Sequence, residues 1–241
     1  MPTAEVDPAT NSASDDHHVL AKDASDLAIA LAAKIEQRTA VVGISGLGYV
    51  GLPLLAAFHR AGFPVVGFDK NPDQVERLKR GENYLKHLGP SLVSDMQQTG
   101  GDRFTVTADF DRLGECDVVL SCVPTPLGQH QEPDLSYVDQ SAADAAKVAK
   151  AGQLVILESS TYPRTTREIV LPKFEQRGFT LDDDVFLAYS PEREDPGSKT
   201  HSTATIPKLV GGLGPVSGQL AAMLDRQAIK AQIVLVDNAE I

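Results

Sequence analysis

The 241-residue sequence predicts a doubly wound α/β fold, a parallel sheet with helices on both faces. Two observations carry the reading. From residue 40 onward, short and nearly continuous apolar runs alternate with stretches of helical spacing. Parallel strands buried on both faces give such runs, and consecutive βα units joined by right-handed crossovers build such a sheet. Between the first run and the first helix stands Gly46-Leu47-Gly48-Tyr49-Val50-Gly51, a G-x-G-x-x-G in the strand–turn–helix setting that makes this spacing informative.

Taken in order, residues 1–22 are polar and acidic and read as a disordered tail. His17 and His18 lie in it without further ligands, and read as a solvated pair. Residues 23–38 read as a lead-in helix: Leu27, Leu31 and Ile35 recur every four residues, Ile29 falls off that stripe, and Ser25 or Asp26 can cap it. The segment 39–241 then forms one domain. AVVGIS (40–45) is a strand, 51–62 a helix, and PVVGFD (64–69) a strand. NPDQVERLKRGE (71–82) is a capped helix ending at Gly81. FTVTAD (104–109) and DVVLSCVP (117–124) are strands, the second closed by proline. Residues 136–150 are helical and QLVILESS (153–160) is a strand. TTREIVLPKFEQRG (165–178) is a helix that Pro172 kinks or breaks. DVFLAYSPE (184–192), PKLVGG (207–212) and QIVLVD (232–237) are strands, with a helix over 215–228.

Composition narrows the partners. Lys+Arg 22 against Asp+Glu 33 gives a net charge of −11, which disfavours nucleic acid and anionic membrane surfaces. An anionic small molecule stays open, because backbone amides bind phosphate without net positive charge. Nearly half of that charge sits on residues 1–26, where six carboxylates face one lysine. Two cysteines, Cys116 and Cys122, make neither a disulfide framework nor a four-ligand metal site. Ala40 to Phe58 carries no charge, but it holds four glycines and Pro53, so it reads as strand, turn and helix rather than a membrane span. No basic-then-apolar leader opens the chain, and a cytoplasmic location is expected.

The glycines have distinct tasks. Gly46 permits the tight turn, Gly48 lets a pyrophosphate approach the backbone, and Gly51 lets the helix lie close to the strand. Tyr49 and Val50 belong to the same loop, and the helix start offers free N–H groups and the positive end of its dipole. Asp69 closes the next strand and can accept from both adenosine ribose hydroxyls; it would repel a 2′-phosphate, which favours NAD over NADP. Lys70 and Lys79 weigh slightly the other way. The expectation is a Rossmann-like NAD-binding domain.

Several ordered segments sharpen this. GLGYVGLPL (46–54), GENYLKHL (81–88), CVPTPLGQHQEPDLSYV (122–138), LESSTYPRTT (157–166), YSPEREDPG (189–197) and IPKLVGG (206–212) together resemble the UDP-glucose/GDP-mannose dehydrogenase family, nearest to its UDP-N-acetylglucosamine 6-dehydrogenase type. The resemblance implies oxidation of the C6 hydroxyl of a UDP-sugar to a carboxylate with two NAD, through an aldehyde held on a thiolate as a thiohemiacetal. It implies that Val123, Pro124, Thr125 and Pro126 line the cofactor, and that Thr125 also orients a catalytic water. Ser160 and Thr161 would flank the nicotinamide. Glu192 would position or activate the water, and Arg193 would lie near the substrate. Thr125, Ser160 and Glu192 each fall at or just past a strand's C-terminal end, where ligands bind in open parallel sheets.

Two departures stand out. Arg164 occupies the place of the glycine usual in the family's Tyr-Pro-Gly-Thr-Thr, and Ser45 that of an aliphatic residue. The family's long central helix, its nucleophilic cysteine and its C-terminal UDP-sugar domain have no counterpart before Ile241, and Cys116 and Cys122 read as structural thiols. The expectation is a cofactor half that holds a UDP-sugar weakly without a complementing C-terminal chain and belongs to an oligomer in the full-length family. A stand-alone one-step oxidoreductase and a non-catalytic NAD-binding module are the alternatives.

Overall fold

The structure is a computed structural model that describes residues 20–85, 88–127, 132–191 and 207–240. Most of the acidic tail, Glu192 and Arg193 lie outside the described residues. Eight strands form one sheet: β1 (Val42–Ser45), β2 (Val65–Phe68), β3 (Phe104–Thr107), β4 (Val118–Ser121), β5 (Gln153–Leu157), β6 (Val185–Tyr189), β7 (Lys208–Gly212) and β8 (Ile233–Val236). Their order is β3-β2-β1-β4-β5-β6-β7-β8, with the direction of winding reversing between β1 and β4. Neighbours pair in parallel from β3 through to β6.

The doubly wound sheet is as expected, with its last two strands reversed. β7 pairs with β6 antiparallel, and β8 follows β7 in parallel, so the sheet is mostly rather than wholly parallel. An apolar run such as PKLVGG carries no direction of its own. The connection leading into it sets the direction.

The helices are α1 (Asp26–Glu36), α2 (Gly51–Ala61), α3 (Pro72–Lys79), α4 (Leu92–Gly100), α5 (Ser136–Val148), α6 (Leu171–Glu175) and α7 (Pro215–Ala228). Strand side chains alternate between two cores, as a pleat of period two requires. Val118, Leu120, Leu154, Ile156, Phe186 and Ala188 face the core under α1, α2, α3, α4 and α7. Val119, Val155, Leu157, Val185 and Leu187 face the core under α5 and α6. Among the described residues, no helix is long and apolar enough to cross a membrane.

Ser25 caps α1 by accepting from Ala28 N. The buried face of α1 is Ala28, Leu31, Ala32 and Ile35, whereas Leu27 is part-exposed, so the stripe is turned one residue from the expected one. Leu20 packs against the core, and the Ala21 N–H donates to Gln219 Oε1 at 2.9 Å, which ties the end of the acidic segment to α7. Asp117, at the opposite edge of the sheet from the glycine loop, accepts from Val41 N and Lys34 Nζ, both at 2.9 Å. Burial works against its charge, but these partners outweigh it and hold the carboxyl below its usual range.

The break expected at Pro172 takes a specific form. Residues 166–170 make a π-helical turn, and the Leu171 N–H reaches back five residues to the Thr166 carbonyl. Pro172 then sits in the first turn of α6, directly after the π-helical turn, so the irregular hydrogen bonding falls beside the residue that has no N–H to give.

Candidate functional site

The glycine loop runs from β1 into α2. Gly46 has φ +93, and a Cβ there would meet the Cys122 carbonyl oxygen at 2.6 Å. A Cβ on Gly51 would stand 1.8 Å from the Gly46 carbonyl oxygen. Above Gly48 there is open space, with nothing within 4 Å of an added Cβ. Tyr49 is exposed and Val50, the N-cap of α2, is half-buried; no side chain caps the helix. The uncapped helix start and the open space over Gly48 thus leave room and backbone N–H groups for an anion.

Asp69 is half-buried just past β2. Its Oδ2 accepts from Leu47 N at 3.0 Å and its Oδ1 from Asn71 N at 2.8 Å. The carboxylate is therefore a fastener of the loop as well as a ribose candidate, and about two of its four lone-pair positions stay available. Lys70 is turned toward α5, with Nζ 3.0 Å from Asp144 and 5.4 Å over the Phe110 ring, and Lys79 pairs with Glu76. Both exposed cations have carboxylate partners of their own.

Further along the same edge, Val123, Pro124, Thr125 and Pro126 follow β4, with Thr125 half-buried and the two prolines exposed. Ser159 Oγ donates to the Val123 carbonyl at 2.7 Å and fastens this segment to the one after β5. In that second segment Ser160 is exposed, and the Thr161 N–H points to the Tyr189 hydroxyl at 3.5 Å. The structure therefore brings Gly46 to Gly51, Asp69, Val123 to Pro126, Ser160 and Thr161 to one sheet edge. Four of the exposed large apolar side chains, Tyr49, Leu127, Tyr137 and Tyr162, sit on the loops and helix start there.

Sequence reasoning missed a charged cluster behind this edge. Lys208 Nζ lies 2.8 Å from Glu158 Oε1 and 3.3 Å from Asp225 Oδ2, all three being buried. Ser190 Oγ donates to the Leu209 carbonyl and lies 3.4 Å from Asp225 Oδ2. Glu158 and Ser190 immediately follow β5 and β6. Because β7 runs antiparallel, its first residue, Lys208, arrives at the edge where those strands end.

Residues 40–229 match the NAD binding domain of the UDP-glucose/GDP-mannose dehydrogenase family. The chain belongs to that family. A UDP-N-acetyl-D-glucosamine 6-dehydrogenase of Pseudomonas aeruginosa is 35% identical over 191 residues, which are 79% of this chain and 44% of the relative. A UDP-D-ManNAc dehydrogenase from Pyrococcus horikoshii superposes with TM-score 0.76 at 28% identity, covering 83% of this chain and 47% of the other. An NDP-N-acetyl-D-galactosaminuronic acid dehydrogenase from Methanosarcina mazei Go1 does so with TM-score 0.76 at 29%, covering 87% and 47%. The chain thus spans about half the length of the relatives it matches.

Membership gives the departures their meaning. Arg164 has φ 76, the left-handed conformation that glycine adopts without strain. Its guanidinium pairs with Glu168 at 3.1 Å and lies along the π-helical turn. In this dehydrogenase-family domain Arg164→Gly should raise stability by about 0.5–1 kcal/mol, since left-handed strain of about 1–2 kcal/mol is relieved against a smaller entropic cost. Urea unfolding measures it; a loss of stability would show that the Glu168 pair matters more than the strain. Cys116 is buried, and burial pushes its thiol up to about 12, so it carries no thiolate near neutral pH.

Proposed function

We propose that this chain is the NAD-binding half of a nucleotide-sugar 6-dehydrogenase. The whole enzyme oxidises the C6 hydroxyl of a UDP-sugar of the N-acetylglucosamine or N-acetylmannosamine type to a uronate, in sugar-nucleotide or polysaccharide biosynthesis in the cytoplasm. The observation that carries the reading is the glycine loop held open beneath an uncapped helix, with Asp69 beside it. The relatives' substrates support the sugar class.

In this reading residues 39–241 are one cofactor domain with the helix of 23–38 packed on it. The amides of Gly48 to Gly51 and the α2 dipole hold the pyrophosphate. Asp69 takes the adenosine ribose hydroxyls on its remaining lone pairs. Val123, Pro124, Thr125 and Pro126 form one wall of the nicotinamide site, and Ser160 and Thr161 the other. Thr125 and Glu192 orient and activate water, and Arg193 contacts the sugar nucleotide. When bound, NAD supplies the hydride acceptor. The nucleophilic thiolate and most of the UDP site belong to the half that the relatives have in addition, and that half also supplies the oligomer contacts.

Calorimetry of the chain with NAD, NADP and a UDP-sugar tests this. NAD should bind, NADP at least about tenfold more weakly, and the UDP-sugar scarcely at all. Asp69→Ala should weaken NAD by about ten- to a hundredfold, the range of hydrogen bonds to a charged group, and remove the discrimination. Equal binding of both dinucleotides by the unmutated chain would sink the NAD assignment.

A further inference from the structure

Leu47 sits between two glycines of the loop, and each of its two flanking peptide units is held by a side chain. Its N–H donates to Asp69 Oδ2 at 3.0 Å. Its carbonyl accepts from the Tyr84 hydroxyl at 2.5 Å, from a segment 37 residues away. The Tyr84 ring lies 5.6 Å from the Arg77 guanidinium, which fixes its plane from α3. Burial, and then the Asp69 carboxylate, push the phenol above its ordinary range, so it stays a donor throughout the physiological range.

The geometry has a direct consequence for the loop. In a trans peptide the C=O and the following N–H point in opposite directions. Holding the Leu47 carbonyl toward Tyr84 therefore aims the Gly48 N–H the other way. The Leu47–Gly48 peptide turns about Leu47 ψ and Gly48 φ, and because glycine accepts φ of either sign, the Gly48 side does not restrain it. A flipped peptide would present a carbonyl oxygen, rather than an N–H, to an anion.

We propose that Tyr84 is a positioning residue for dinucleotide binding: its hydroxyl locks the Leu47–Gly48 peptide so that the Gly48 N–H is aimed at the diphosphate. The proposal rests on the dinucleotide reading above and extends it to a residue outside the glycine motif. Tyr84 acts through the backbone and touches no reacting atom.

The test is Tyr84→Phe in the full chain, which keeps the ring over Arg77 and removes only the hydroxyl. NAD and ADP-ribose should bind about three- to tenfold more weakly, the worth of one net hydrogen bond. Adenosine, which has no diphosphate, should bind unchanged, and the melting temperature should fall by no more than about 4 °C. A purely structural role would weaken all three ligands alike. Equal losses for adenosine and ADP-ribose, or an unchanged NAD affinity, overturn the assignment. Failure of the unmutated chain to bind NAD at all overturns the dinucleotide reading and the Tyr84 assignment with it. NAD binding that Tyr84→Phe leaves unaltered removes Tyr84 alone.

Discussion

Lys208→Met should destabilise the domain by about 3–5 kcal/mol, because it removes the ammonium that Glu158 and Asp225 share inside the protein. Both carboxylates are buried, and the substitution leaves their charge in place without that compensation. Domains of this kind have about 5–15 kcal/mol in total, so the loss is a large share. In a thermal melt it corresponds to a fall on the order of 10 °C for a chain of this size. Adding Glu158→Gln and Asp225→Asn should restore much of it, since neutral groups of similar shape are often no less stable than a buried ion cluster. A Lys208→Met variant within about 1 kcal/mol of the unmutated protein would show that the cluster is energetically replaceable.

Gly51→Ala should be the most damaging single change in the loop. The added Cβ meets the Gly46 carbonyl oxygen at 1.8 Å and Ile44 Cγ2 at 3.1 Å, and the nearer of these is backbone. No side chain can turn aside to make room, so α2 must lift from β1. Overpacking of this kind typically costs about 1–3 kcal/mol and more where the backbone must move. NAD binding should fall with it by at least about tenfold, or 1.4 kcal/mol. Gly48→Ala is the informative contrast. Its Cβ meets nothing within 4 Å, so stability should stay close to that of the unmutated chain. The methyl would fill the space over the loop, so NAD affinity should fall by a similar factor without the loss of stability. If Gly48→Ala binds NAD normally, the pyrophosphate does not lie where the loop geometry puts it.

Much of this was legible in the sequence because it rests on local chemistry. The parallel strands announce themselves as apolar runs, and α7 was readable over Pro215–Ala228, with proline in its first turn. The glycine spacing works because each glycine answers a steric demand of the backbone within a few residues. Asp69 was legible by its place at the end of β2. Less legible was α4 (Leu92–Gly100), whose sequence LVSDMQQTG is short, mixed and uncapped. Residues 110–115 form 3-10 turns that no periodicity marks.

Tertiary contacts decided what no local pattern encodes. Asp182, itself at φ 63, accepts from Val216 N at 3.0 Å and Ser217 N at 2.9 Å, and so caps α7 from more than thirty residues away. The local N-cap, Gly214, has no side chain to do it. Tyr84 holding Leu47, and Lys208 meeting Glu158 and Asp225, are of the same kind: each joins groups distant in the chain that only the packed sheet brings together.

The sequence by itself determined the βα alternation and placed the glycine spacing and Asp69 at strand ends, because hydrophobic period and backbone sterics are local properties. The tertiary structure alone decided that β7 runs backward, that a lysine is thereby buried behind the sheet edge, and that Asp69 and Tyr84 hold the two peptides on either side of Leu47. Those outcomes depend on where the chain returns after a long connection; burying apolar surface favours the packed return, and each charge buried with it must meet a distant partner that offsets its desolvation.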